Sequence, residues 1–192
     1  MSLIRWRVLG AGLAAALALA GCSSGGPAPT SPNGAGAGTT ATSTASPSSP
    51  GTSSPVVVPE ALRFAGPLVG GGTFDGASLA GKPAVLWFWA AWCPRCQAKA
   101  AEVRAAQTAA AGKVNFVGVA GLSSGQDAMV RFVSQHALGG FPHLSDDTGT
   151  VWRHFGVVEQ EYFVLIDASG MIVHKGPLTA TELNRRVADL AG

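Results

Sequence analysis

With 192 residues, 13 lysines and arginines against 11 aspartates and glutamates, and 47% hydrophobic residues, the chain has room for one ordinary domain and almost no net charge. Its basic residues are scattered, Arg185–Arg186 being the one adjacent pair, which excludes a phosphate-tracking groove for nucleic acid. Three cysteines, an odd number, require that at least one lie outside any internal pair.

The first third does not read as domain material. Residues 1–21 carry Arg5 and Arg7, then Val8–Ala20 without a charge, a run too short to span a bilayer permanently and suited to a signal-peptide core. Leu19–Ala20–Gly21–Cys22 at its end resembles a bacterial lipobox, which implies cleavage before Cys22 and lipidation of its sulfur; the alternative is an ordinary secretory signal with Cys22 incidental. Loss of Arg5 and Arg7 leaves the basic and acidic residues equal in number. Residues 22–55 continue with Gly, Ser, Thr, Pro, Ala and one Asn, no charge and no large apolar side chain, so they bury no core and read as a tether. At flexible-coil scaling such a tether reaches on the order of 30 Å. The folded domain is expected over 56–192.

That domain is organised around Ala84–Val85–Leu86–Trp87–Phe88–Trp89–Ala90–Ala91–Trp92, an unbroken apolar run ending in Cys93–Pro94–Arg95–Cys96. Apolar positions without polar alternation suit a central strand covered on both faces. Gln97–Ala111 is rich in strong helix formers, and Pro94 falls where a first helical residue tolerates a missing N–H. Cys93 is therefore expected at a helix N-terminus, where unpaired N–H groups and the helix dipole favour a thiolate. Cys96, one turn along the same face, lies close enough to close a disulfide with it and is expected to be the less reachable of the two. In that reading Cys93 attacks and Cys96 resolves.

In chain order, Val56–Thr73 suggests one or two short strands extending a sheet edge, Phe74–Asp75–Gly76 a turn, and Ser78–Pro83 a connection into the central strand. Gly112 is a suitable residue just past the helix. Val114–Ala120 reads as a parallel neighbour of the central strand. Ser124 and Asp127 have the spacing of a capping box for a helix bearing Met129, Val130, Phe132 and Val133, ended by Gly139–Gly140. Asp146–Gly156 suggests a short helix, Tyr162–Ile166 and Met171–His174 a hairpin turned at Asp167–Gly170, and Thr179 with Glu182 the capping box of a last helix. This order gives an α/β protein with a thioredoxin fold: a central mixed sheet flanked by helices, with a short N-terminal strand extension.

The stretch Phe74–Trp89 leading into Trp92–Cys96 closely resembles the TlpA/ResA-like thioredoxin family, nearest the exported DsbE- and DsbF-type thiol–disulfide oxidoreductases of mycobacteria and related actinobacteria, and the resemblance covers about Leu62–Leu190. It implies an extracytoplasmic enzyme without a cofactor that exchanges disulfides with exported client proteins. Cys93 and Cys96 would be the redox pair, with Trp92, Pro94, Arg95, Gln160 and Glu161 around them. It also implies a membrane redox partner for recycling, beside membrane attachment through the lipid on Cys22.

Three positions depart from the family pattern. Trp87 stands where thioredoxin carries a buried Asp, Lys99 where TlpA-like proteins commonly carry Glu, and Glu161 where the fold places a cis-proline facing the cysteine pair. Glu102, one turn beyond Lys99, reads as solvated. With Arg95 adding a cation and the usual carboxylates missing, the thiolate form is favoured, so the disulfide is expected to act as an oxidant. Alternatives are a reductase for cytochrome c maturation or peroxidase support, and a redox-silent or copper-binding lipoprotein. His136, His143, His154 and His174 lack paired ligand spacing, so no metal site is expected, and His143 beside Pro142 reads as a loop residue.

Overall fold

The computed structural model describes residues 57–192. The signal peptide, Cys22 and the tether lie outside the described residues. Among the described residues no helix is long and apolar enough to cross a membrane.

Strand β3 (Ala84–Trp89) is buried at every position. It pairs in parallel with β4 (Asn115–Ala120) and antiparallel with β6 (Tyr162–Ile166). β5 (His143–Ser145) and β7 (Ile172–Gly176) complete a sheet of order β5-β4-β3-β6-β7. Alternate β3 side chains supply two cores. Val85, Trp87 and Trp89 pack with Val103 of α1 (Pro94–Ala109), Phe132 of α2 (Gln126–Gln135) and Leu183 of α4 (Ala180–Ala191). Ala84, Leu86 and Phe88 face Val151 and Trp152 of α3 (Thr150–His154), together with Leu62 and Phe64. Burying each such large side chain contributes about 1.5–3 kcal/mol, and this central strand is thereby a rigid mount for the cysteine turn at its C-terminal end.

Several local expectations are corrected. The N-terminal strands β1 (Ala65–Pro67) and β2 (Thr73–Asp75) form a separate two-stranded sheet instead of extending the main one. The chain doubles back through Gly70, Gly71 and Gly72, whose positive φ values of 93°, 107° and 88° suit glycine alone, and the hairpin touches the edge strand through a Leu68–Leu144 bridge. Phe74 and Asp75 belong to β2, and the Asp75 carboxylate accepts from Ala77 N–H at 2.9 Å to open the 3₁₀ turn Gly76–Leu79. α2 begins after Gly125 with no side-chain cap, because the Ser124 hydroxyl is engaged elsewhere; it ends at Gln135, ahead of Gly139–Gly140, where Ala137 turns with φ 52°. The capping box of Thr179 and Glu182 is present as expected.

Candidate active site

β3 releases the chain at the C-terminal edge of the sheet, and α1 starts shortly after Ala90. Cys93 is the N-cap of α1, Pro94 follows at its first turn, and the N–H of Cys96 donates to Cys93 Sγ at 3.2 Å. Both cysteines are free thiols. Their expected difference in reach is not found: Cys93 is 1% exposed and Cys96 0%. What separates them is surroundings. Cys93 Sγ receives a helix-start N–H, whereas the Cys96 thiol is pushed far above its ordinary range, first by burial and then by its hydrogen bond with Cys93.

Around the pair, Trp92 is 54% exposed and its indole Nε1–H donates to the Leu122 carbonyl at 2.9 Å. Pro94 and Arg95 are exposed and Gln160 is half-buried. Glu161 is buried at 9% exposure; its N–H donates to Phe88 O at 2.8 Å, its backbone lies against the Cys96 thiol, and its Oε1 has no hydrogen-bond partner. Burial pushes the Glu161 carboxyl above its usual range, opposed by Lys99 and Arg95. The cis-proline expectation is thereby refined: Glu161 has φ 60°, a left-handed conformation that a proline ring, held near −65°, does not adopt. Glu102 is not simply solvated but pairs with Lys99 at 2.7 Å.

Sequence reasoning missed two features. The segment Gly121–Gly125 packs against the turn before Cys93, with Ser124 Oγ accepting from Ala91 N–H at 2.9 Å, and no motif in Gly121–Leu122–Ser123–Ser124 signals this contact. His143 is a core residue rather than a loop residue: it lies in β5 at 4% exposure, its Nε2 is 3.0 Å from Leu138 O, and burial lowers it to about 4. Trp152 is core, as its apolar setting suggests. Among the described residues no group of three or more His, Cys, Asp or Glu is placed to hold a metal ion.

A helix-start cysteine pair mounted on a buried central strand of a mixed sheet is shared widely, and comparison with known proteins is specific. The AhpC/TSA family model matches residues 57–176. The chain belongs to the AhpC/TSA family. It is 42% identical over 144 residues to the soluble secreted antigen MPT53 of Mycobacterium tuberculosis, covering 72% of this chain and 81% of that protein. Among solved structures, MTB dsbF in its mixed oxidised and reduced forms matches at 42% identity with a TM-score of 0.65, covering 69% of this chain and 98% of that one. A secreted Mycobacterium tuberculosis disulfide oxidoreductase homologous to Escherichia coli DsbE matches at 40% identity and TM-score 0.62, over 68% and 98%. This AhpC/TSA member is a thioredoxin-fold thiol–disulfide oxidoreductase of the DsbE/DsbF type.

Proposed function

We propose that the enzyme oxidises thiols of exported client proteins through the Cys93–Cys96 pair. A client thiolate attacks Cys93 Sγ of the disulfide, the Cys93–Cys96 bond breaks, and Cys96 leaves and takes a proton. A second client thiolate then attacks the client sulfur of the mixed disulfide, forming the client disulfide and releasing Cys93 as thiolate. The observation that carries this reading is the 3.2 Å hydrogen bond from Cys96 N–H to Cys93 Sγ at the start of α1, which favours Cys93 as the anionic leaving group. Arg95 adds a cation beside it. Recycling of the reduced pair falls to a membrane redox partner.

Cys96→Ser is expected to trap mixed disulfides with clients and Cys93→Ser is not. The pair's reduction potential is expected above that of thioredoxin, about −270 mV. Trapping by the Cys93 variant instead would reverse the two roles. The buried Glu161 carboxyl favours a second reading, a reductase, because an anion beside the pair opposes thiolate formation; a potential at or below thioredoxin's selects it.

The relatives MPT53 and the DsbE-homologous oxidoreductase are secreted proteins, which supports work outside the cytoplasm. Attachment to the membrane by a lipid on Cys22 rests on Leu19–Ala20–Gly21–Cys22. Cys22→Ala is expected to move the protein from the detergent phase to the aqueous phase, and unchanged partitioning would rule the anchor out.

A further inference from the structure

The parallel ladder between β3 and β4 has an inserted atom at its last rung. Gly121 N–H donates to Trp89 O at 3.1 Å, continuing the register Trp89–Ala120, so the next bond of a parallel ladder would run from Ala91 N–H to Gly121 O. That bond is replaced by a hydroxyl. Ala91 N–H donates to Ser124 Oγ at 2.9 Å, and Ser124 Oγ donates to Gly121 O at 2.6 Å. A serine hydroxyl is one donor and two acceptors, so it satisfies both backbone groups while holding the two strands apart by its own width.

The insertion is built at a conformational cost. Leu122 and Ser123 both have φ 56°, left-handed for two consecutive non-glycine residues, which turns the chain back so that Ser124 reaches Gly121 O. The Asp147 carboxylate holds that turn, accepting from Ser124 N–H at 2.9 Å and Gly125 N–H at 2.8 Å. Trp92 Nε1–H closes the same loop onto Leu122 O. Gly121 itself has no room for a side chain: a Cβ there would stand 2.5 Å from Trp152 Nε1 and 3.1 Å from Asp146 O. Strain concentrated in three residues and anchored by a carboxylate from another element marks a position that the surrounding structure over-determines. What it determines is the path of Ala91 and Trp92, the two residues immediately before Cys93.

We propose that Ser124 is a positioning residue for disulfide exchange: by splicing its hydroxyl into the last rung of the β3–β4 ladder it sets where Cys93 Sγ stands. The proposal rests on Cys93 being the attacking thiol. Without the hydroxyl, Ala91 N–H and Gly121 O either lose their partners or bond directly, and direct bonding draws the Ala91–Cys93 turn toward β4. A displacement on the scale of 1 Å at a reacting atom lowers rates by up to about a hundredfold.

The test uses the full-length chain in a Cys96→Ser background and follows formation of the mixed disulfide between Cys93 and a small aromatic disulfide at neutral pH, with thermal unfolding recorded in parallel. Ser124→Ala is expected to slow the reaction about tenfold or more, Ser124→Thr, which keeps the hydroxyl, to restore most of the rate, and Asp147→Asn to lower it by a smaller factor. A folded Ser124→Ala protein reacting at the parent rate overturns the proposal. Should Ser124→Ala not fold, parent-like rates for both Ser124→Thr and a folded Asp147→Ala overturn it equally, whereas a slowed Asp147→Ala with a parent-like Ser124→Thr supports it. If the parent itself forms no mixed disulfide at Cys93, the assignment of the attacking thiol fails and this proposal with it; a reactive parent with indifferent Ser124 variants removes only the role of Ser124.

Discussion

Lys99 Nζ stands 2.7 Å from Glu102 Oε2 and donates to Leu178 O at 3.1 Å, so the cation nearest Glu161 is already committed to two oxygens on its other sides. Glu161 is left with a buried carboxyl whose Oε1 has no hydrogen-bond partner. Its position above the ordinary carboxylate range has a definite consequence for stability. An acid raised in the fold holds its proton more tightly there than in the unfolded chain, so its contribution is present at low pH and lost as pH rises through the folded value.

Glu161→Gln keeps the shape and removes the ionisation. The variant is expected to match the parent in stability near pH 4 and to exceed it by about 1 kcal/mol at pH 8, the usual cost of an unsatisfied buried group. Urea unfolding at several pH values measures the difference, and one that stays constant with pH would show that Glu161 is not the cause. The same variant is expected to raise the reduction potential, since removing a nearby anion favours the thiolate.

Glu161→Pro tests how far this loop has departed from a proline-bearing one. Proline does not reach φ 60° and has no N–H to give Phe88 O. The substitution is therefore expected to destabilise by more than about 1 kcal/mol and to alter client exchange. A variant as stable as the parent, with an unchanged exchange rate, would mean that the loop rebuilds freely.

The central strand and its cysteine helix are legible in the sequence because each rests on local chemistry: an apolar run with no alternation, a proline at the helix start, and a stretch of strong helix formers. The Thr179–Glu182 box is legible for the same reason. What is not legible depends on distant partners. The burial of Cys93 to 1% depends on how the surrounding loops close over it. Ser124 has the spacing of a cap, yet its hydroxyl is claimed by Ala91, thirty-three residues away. His143 follows a proline as a loop residue would, and only the pairing of β5 with β4 carries it into the core.

His143 supplies the acid-side pH dependence. Burial lowers it from 6.5 to about 4, so the fold holds it neutral while the unfolded chain binds a proton more readily. Stability from this residue is complete above pH 6.5 and is lost as pH falls toward 4, by roughly 3 kcal/mol over the window. Glu161 has the opposite slope, so the informative quantity is the difference between parent and His143→Gln. That difference is expected to shrink steadily as pH falls from 6.5 to 4 in denaturant titrations; a difference flat across the window would show that His143 titrates normally.

Asp146 and Asp147 turn adjacent carboxylates to different work. Asp147 holds the Ser124 turn, while Asp146, at 5% exposure, accepts N–H bonds from Thr150 at 2.8 Å, Val151 at 2.7 Å and Trp152 at 2.9 Å, the first three residues of α3. A five-residue helix cannot be sustained by its own hydrogen bonds, since its leading N–H groups have no partners within it. Asp146→Ala leaves those buried donors unpaired and is expected to cost about 2–3 kcal/mol. Asp146→Asn keeps an acceptor oxygen and is expected to cost about half as much. Because Trp152 packs on Phe88 and lies over Gly121, loss of the α3 start is also expected to loosen the turn before Cys93 and slow disulfide exchange. Urea unfolding and exchange rates on the two variants measure this together. An Asp146→Ala protein within about 0.5 kcal/mol of the parent, the spread of ordinary surface substitutions, would show that α3 forms without its carboxylate, leaving Asp147 as the sole anchor between this segment and the cysteine turn.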